Sequence, residues 1–220
     1  MTMNPDPGTG CPPQPPGDRA AWDTDYASRG KLWGGSSSSL PDLPPGSKVL
    51  ELGCGNGKSL GAMSAKGWDV TGIDFSLPAV GMCRRILGPG IPDVVAADSR
   101  ILPFRTGAFD AVFAFHVLGH MLVGDRVKSA AEIVRVLGQS GTFHFRAFSV
   151  ADLRFGKGNE VEDATFVRGT GIPTHYFTLA EAADLFSALL PVSLDSHRWT
   201  MRIRGEDLVR EEIAAVFSRS

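Results

Sequence analysis

Cysteine is scarce. Cys11, Cys54 and Cys83 are the whole set, with no CxxC pair and no metal-ligand spacing. This argues against a disulfide scaffold and a cysteine-based metal site, and favours a reducing compartment. Excess charge is also missing. Lys and Arg total 22 against 24 Asp and Glu, for a formal net charge of −2 and a pI near 6.2. Nucleic-acid binding usually needs a basic patch or a basic domain, so composition makes no case for it. No apolar run is long enough to span a membrane. The N-terminus lacks a basic region followed by an apolar core, so no secretory signal is expected and a cytoplasmic protein is. What is present is ordinary for one globular domain with a sizeable core: 220 residues, 43% hydrophobic and 21% charged.

Residues 1–18 hold six prolines and three glycines and have little to bury, so a flexible tail is expected. Residues 19–46 read as a helix and a linker. Trp22, Tyr26 and Arg29 share one helix face, Gly30 marks its end, Trp33 follows, and residues 34–39 are small. From Lys48 strand and helix alternate, the signature of a parallel sheet covered on both faces. Strands are expected at 48–53, 68–73, 92–97, 109–115, 142–148 and 192–203, and helices at 57–66, 76–87, 125–137 and 178–190. Ser76 and Thr178 are suited to cap their helices. Gly88-Pro89-Gly90 ends the second of these helices, and Gln139-Ser140-Gly141 is expected to turn into the fifth strand. Residues 149–175 break the rhythm, as a lid or binding loop inserted in the 47–220 domain would. Residues 209–217 fit helix by their early charges and strand by the alternation of Ile213, Ala215 and Phe217.

The organising stretch runs from Lys48 to Lys58. An apolar strand enters a loop with glycine at 53, 55 and 57, and a helix follows. Such a unit offers free backbone N–H groups and the positive end of a helix dipole to a ligand. Ligands of open parallel sheets bind beyond the carboxyl ends of the strands. Asp74, Asp98-Ser99 and Phe115-His116 end three further strands, so all four features share one rim. A carboxylate at Asp74 suits a ribose diol, and Asp98 and Ser99 suit an exocyclic amine. The loop itself admits a phosphate or a closely packed nucleoside with an amino-acid tail. Lys58 stands where a GxGxxG dinucleotide loop needs glycine, and GxxxxGK[ST] is absent. Glu51, just before the loop, suits a cationic ligand better than a pyrophosphate.

Residues 49–57 (VLELGCGNG) resemble motif I of class I S-adenosylmethionine-dependent methyltransferases. The resemblance continues through Gly72-Ile73-Asp74-Phe75-Ser76, Ala97-Asp98-Ser99, Phe109-Asp110-Ala111-Val112, Val117-Leu118-Gly119-His120-Met121 and residues 132–137 (EIVRVL). It covers roughly residues 48–148 and is nearest to the ubiquinone/menaquinone-biosynthesis subgroup. Gly138-Gln139-Ser140-Gly141 departs from that family's usual Lys-Pro-Gly-Gly. The resemblance implies a doubly wound α/β fold, a mostly parallel seven-stranded sheet with an antiparallel last strand, which favours strand for 209–217. It implies S-adenosylmethionine as cofactor, with the methionine end on Gly53, Gly55 and Gly57, the ribose on Asp74, adenine beside Phe75, Asp98 and Ser99, and Phe115 and His116 near the methyl donor. Trp22, Tyr26, Arg29 and Trp33 resemble a lid helix, with Tyr26 and Trp33 as cofactor contacts.

Each residue also has a plainer reading. Asp98 suits a turn, His116 suits rim packing as well as a general base, and His120 suits loop shaping. Arg146 faces either an anionic substrate or a structural partner. His175 and Tyr176 either close the substrate pocket or pack the entry of the next helix. The expected protein is a methyltransferase acting on a small-molecule acceptor by direct in-line displacement, with no metal, no nucleic acid and no membrane partner. The alternatives are an NAD-dependent Rossmann oxidoreductase and a non-catalytic S-adenosylmethionine-binding protein.

Overall fold

A computed structural model describes residues 19–29, 40–88 and 93–220. The expected tail, the helix end at Gly30, Trp33, the 34–39 linker, and Pro89, Gly90 and Pro92 lie outside the described residues. Helix α1 (Arg19–Arg29) precedes strand β1 (Lys48–Leu52) and helix α2 (Lys58–Ser64). Strand β2 (Asp69–Asp74), helix α3 (Leu77–Leu87), strand β3 (Asp93–Ala96) and strand β4 (Phe109–Phe115) follow. After a 3-10 turn at Leu118–His120 come helix α4 (Val123–Val136) and strand β5 (Leu137–Phe148). Ser76 caps α3, its hydroxyl accepting from the Ala79 N–H, and Pro78 sits in the first turn where it costs no helical bond. Thr178 caps helix α5 (Leu179–Leu185) by accepting from the Glu181 N–H.

Strands β9 (Leu190–Ile203) and β10 (Glu206–Ser218) complete the main sheet, whose order is β3-β2-β1-β4-β5-β10-β9. Strand β10 is antiparallel to both neighbours, and the strands from β3 to β5 are parallel. The 209–217 stretch is therefore strand. Its apolar Ile213, Ala215 and Phe217 join Phe143, Phe145, Ile133 and Phe186 in one core, under α4 and α5. A second core lies on the opposite face, where Leu60 and Met63 of α2 and Val80 and Cys83 of α3 meet Val49, Val70, Ala111 and Phe113. The sheet is thus wound on both faces, and α2 and α3 gather over β1, β2 and β3.

Two expectations change. The turn at Gln139-Ser140-Gly141 is strand instead, because α4 runs straight into β5 and the Ser140 N–H donates to the Arg219 carbonyl at the chain's far end. The 149–175 segment holds a three-stranded antiparallel sheet of β6 (Asn159–Glu162), β7 (Thr165–Val167) and β8 (Pro173–His175), rather than an irregular loop. Among the described residues, no helix is long and apolar enough to cross a membrane.

Candidate active site

Strand order reverses between β1 and β4, and a cleft of about 730 Å³ opens there beyond the strand ends. The glycine loop forms its floor. Gly53, Gly55 and Gly57 all have positive φ. A Cβ on Gly55 would displace the Tyr26 hydroxyl of α1, and its φ of 54° is one that side chains rarely adopt. Gly57 does not line the cleft, and a Cβ there would lie 2.6 Å from Cys83 Sγ. Its glycine is needed for packing on α3.

Two carboxylates dominate this end. Asp74 accepts from the Gly55 N–H at 3.0 Å and the Ser76 N–H at 2.9 Å, so it ties the loop to the start of α3. Burial pushes its carboxyl up to about 6, against the pull of those two N–H groups. Glu51 is only 4% exposed, and its Oε2 is buried with no hydrogen-bond partner. Burial raises it to about 8, opposed by a bond from Ser59. Phe75 and Ser99 line the same end, with Ser99 Oγ 3.1 Å from Ser129 Oγ. Asp98 also lines it, but its charge is held by Arg100 Nε at 2.9 Å. Burial works to raise Asp98, and the bonds from Arg100 hold it below the usual carboxylate range. Trp22 and Tyr26 of α1 line this half of the cleft, while Trp33 lies outside the described residues.

The other half is built by four strands whose paired residues point to one face. Phe115 pairs with Arg146, Phe148 with Glu212, His197 with Glu212, and Trp199 with Arg210. All of them line the cleft, as does His116. His116 has φ 60°, uncommon for a non-glycine residue, and its N–H donates to the Arg146 carbonyl at 2.7 Å. Its Nε2 lies 3.0 Å from Glu212 Oε2, its ring packs tilted against Phe148 with centroids 4.5 Å apart, and its buried Nδ1 has no partner. Burial works to raise Glu212, but His116 and Arg146 hold it below the ordinary range.

His120 also lines the cleft, edge-on to Trp22 at 5.1 Å, and Nδ1 bonds the Pro173 carbonyl at 2.8 Å. Burial depresses it to about 4, so it is a neutral strut between α1 and the inserted sheet. His175 and Tyr176 are elsewhere. His175 is buried between Thr165 at 2.8 Å and Glu181 at 2.7 Å, and Tyr176 packs on Phe155 and Phe166. No residue of 149–175 lines the cleft, so the insert buttresses His120 instead of closing the pocket.

The sequence reading missed Phe148, His197, Trp199, Arg210 and Glu212. One signal was there: Arg210 and Glu212 alternate with Val209, Glu211 and Ile213, as residues on one face of a strand do. Because β10 runs antiparallel, its beginning lies at the rim where the parallel strands end.

Residues 50–145 match a family model described as a methyltransferase domain. Over that stretch, a little under half of its length, the chain is similar to methyltransferases. It is 34% identical over 116 residues to the tRNA (carboxymethyluridine(34)-5-O)-methyltransferase of Xenopus tropicalis, covering 52% of this chain and 18% of that protein. It is 36% identical over 118 residues to demethylmenaquinone methyltransferase of Corynebacterium kroppenstedtii, covering 54% of this chain and 49% of that one. The chain thus spans half or less of these curated relatives' lengths. A Methanosarcina mazei S-adenosylmethionine-dependent methyltransferase shares the fold at a TM-score of 0.65 and 20% identity, over 80% of this chain and 94% of that one. The methyltransferase cofactor fits the residues found: the unpartnered Glu51 Oε2 lies beside a loop whose close approach demands glycine, with Asp74 at the next strand end.

Proposed function

We propose that this chain is an S-adenosylmethionine-dependent methyltransferase that acts on a small-molecule acceptor. One observation carries the reading. The cleft that holds Glu51, the glycine loop and Asp74 continues without a break into an aromatic half lined by Phe115, Phe148 and Trp199. Glu51, Gly53, Gly55, Asp74, Phe75, Asp98, Ser99 and Tyr26 would hold S-adenosylmethionine, with the unpaired Glu51 Oε2 toward its cationic amino-acid end. When bound, that cofactor supplies an activated methyl for in-line displacement by a substrate nucleophile. The protein contributes position, orientation and exclusion of water. Glu212 accepts from Nε2 of His116, which leaves Nδ1 as the basic nitrogen; His116 is the base for acceptors that carry a proton to be removed.

The relatives' names include a quinone-type acceptor and tRNA. A net charge of −2 and an indented, aromatic acceptor half favour the small molecule. Sparse cysteines, Cys54 and Cys83 both unpaired, suit a cytoplasmic setting. Tritiated methyl donor incubated with the protein and a fractionated cell extract tests this. Label should enter the small-molecule fraction, and His116→Ala should slow transfer by about 100-fold while S-adenosylhomocysteine affinity stays within about twofold. Label confined to RNA would overturn the acceptor class. Cofactor binding with no transfer to any fraction would leave a non-catalytic binder.

A further inference from the structure

The cleft carries arginines at both ends, and they differ in how their donors are used. At the cofactor end Arg100 is committed: Nε and Nη2 bond Asp98, and Nη1 bonds Asp125 at 2.7 Å. In the acceptor half Arg146 makes no side-chain hydrogen bond among the described residues. Its nearest carboxylate oxygen is Glu212 Oε1 at 3.6 Å, and its guanidinium lies 5.0 Å from the Phe115 ring centroid. Arg210 is 6% exposed. Its Nε donates to Asp152 at 2.6 Å, Nη1 is 3.9 Å from Met201 Sδ, and Nη2 is buried with no partner. Its guanidinium lies 4.4 Å from the Phe148 centroid and 5.6 Å from that of Trp199.

We propose that the acceptor half of this cleft selects a planar acceptor bearing an ionised oxygen, a carboxylate or a phenolate, read by Arg146 and Arg210. The proposal rests on the methyltransferase reading only to say which half takes the acceptor. Unused guanidinium donors in a confined site are costly unless a ligand oxygen completes them. The planar fork of arginine matches a carboxylate two bonds at a time. The rings of Phe115, Phe148 and Trp199 supply flat apolar walls, and both guanidiniums already stack on them, so a conjugated ring carrying the oxygen fits where a bulky aliphatic one does not. A cationic amine would need a carboxylate with capacity to spare. Glu212 is the acidic residue lining this half, and it is shared between His116 and Arg146.

The test is calorimetric titration of the full chain, first with S-adenosylhomocysteine and then, once saturated, with paired probes at about pH 8. Benzoate is compared with benzamide and with cyclohexanecarboxylate, and 4-nitrophenolate with 4-nitroanisole. At least one anion should bind about tenfold more tightly than its neutral partner, and an aromatic acid about tenfold more tightly than the saturated one, which separates carboxylate from phenolate recognition. Arg146→Met should reduce the anion preference to within about twofold. Arg210→Lys keeps a charge against buried Asp152 and should weaken the anion by about threefold or more. S-adenosylhomocysteine affinity should stay unchanged in both variants. Equal binding of anion and neutral partner in both pairs overturns the proposal, as does no detectable binding of either anion. Failure of S-adenosylhomocysteine to bind in the first titration would instead remove the methyltransferase reading on which the proposal stands.

Discussion

Glu51 sits in a cleft floor that keeps its carboxyl protonated near neutral pH, since burial raises it to about 8. A cationic amino group arriving at the unpartnered Oε2 reverses that preference. Cofactor binding at about pH 7 should therefore release a fraction of a proton, and affinity should rise between about pH 6 and pH 8. Titrating S-adenosylhomocysteine in phosphate and in Tris checks this, because the two buffers take up a proton with different heats. Identical enthalpies would contradict it, and Glu51→Gln should abolish the buffer dependence while weakening binding. The same shift has a stability sign. A carboxyl raised in the folded state stabilises the fold fully below its ordinary value of 4.5, and that contribution is lost as pH rises through about 8. Urea midpoints of the ligand-free protein should fall across that window, and Glu51→Gln should flatten the fall. Glu51 was legible as a cleft residue because it adjoins the glycine loop in sequence. Glu212 was not, since only the pairing of β10 with β5 brings it to His116.

Elements defined by local pattern were read closely. Phe109–Phe115 is a continuous apolar run, and its bounds in the structure are those expected. Ser76 and Thr178 cap as their positions imply. Elements held by distant partners were not. Residues 138–141 look like a turn, but the Arg219 backbone accepts from Ser140 and donates to Gly141, and draws them into β5. The inserted sheet escaped notice because its strands are three or four residues long and carry glycines between them. The hairpin joining β9 and β10 offers a direct test of local energetics. Ile203 pairs with Glu206, so Arg204 and Gly205 form a two-residue turn with φ 51° and 87°. Such turns prefer Asn-Gly, because asparagine tolerates positive φ better than arginine. Arg204→Asn should raise stability by about 0.5 kcal/mol in urea unfolding. A loss of similar size would mean that the arginine side chain contributes more than its backbone strain costs.

At the scale of the whole molecule, helix α1 stands apart from the two cores of the sheet. Neither core cluster contains a residue of α1, while Trp22 and Tyr26 of that helix line the cleft. Deleting residues 1–29 should leave a folded domain by far-ultraviolet circular dichroism and weaken S-adenosylhomocysteine by about tenfold or more. Unchanged affinity would show that α1 is not a lid. The fold and the glycine-loop end of the cleft were readable because strand ends, glycines and carboxylates occur at fixed places along one chain direction. The aromatic half was not, because it is assembled from the pairing of β4, β5, β10 and β9. The most direct test of the whole account is a thermal unfolding scan with S-adenosylhomocysteine and, separately, with NAD. Near 100 times its dissociation constant, S-adenosylhomocysteine should stabilise by about 2.7 kcal/mol, a shift of roughly 5–10 °C for a domain this size. NAD should leave the midpoint unmoved. A shift with NAD and none with S-adenosylhomocysteine would contradict the account at its centre.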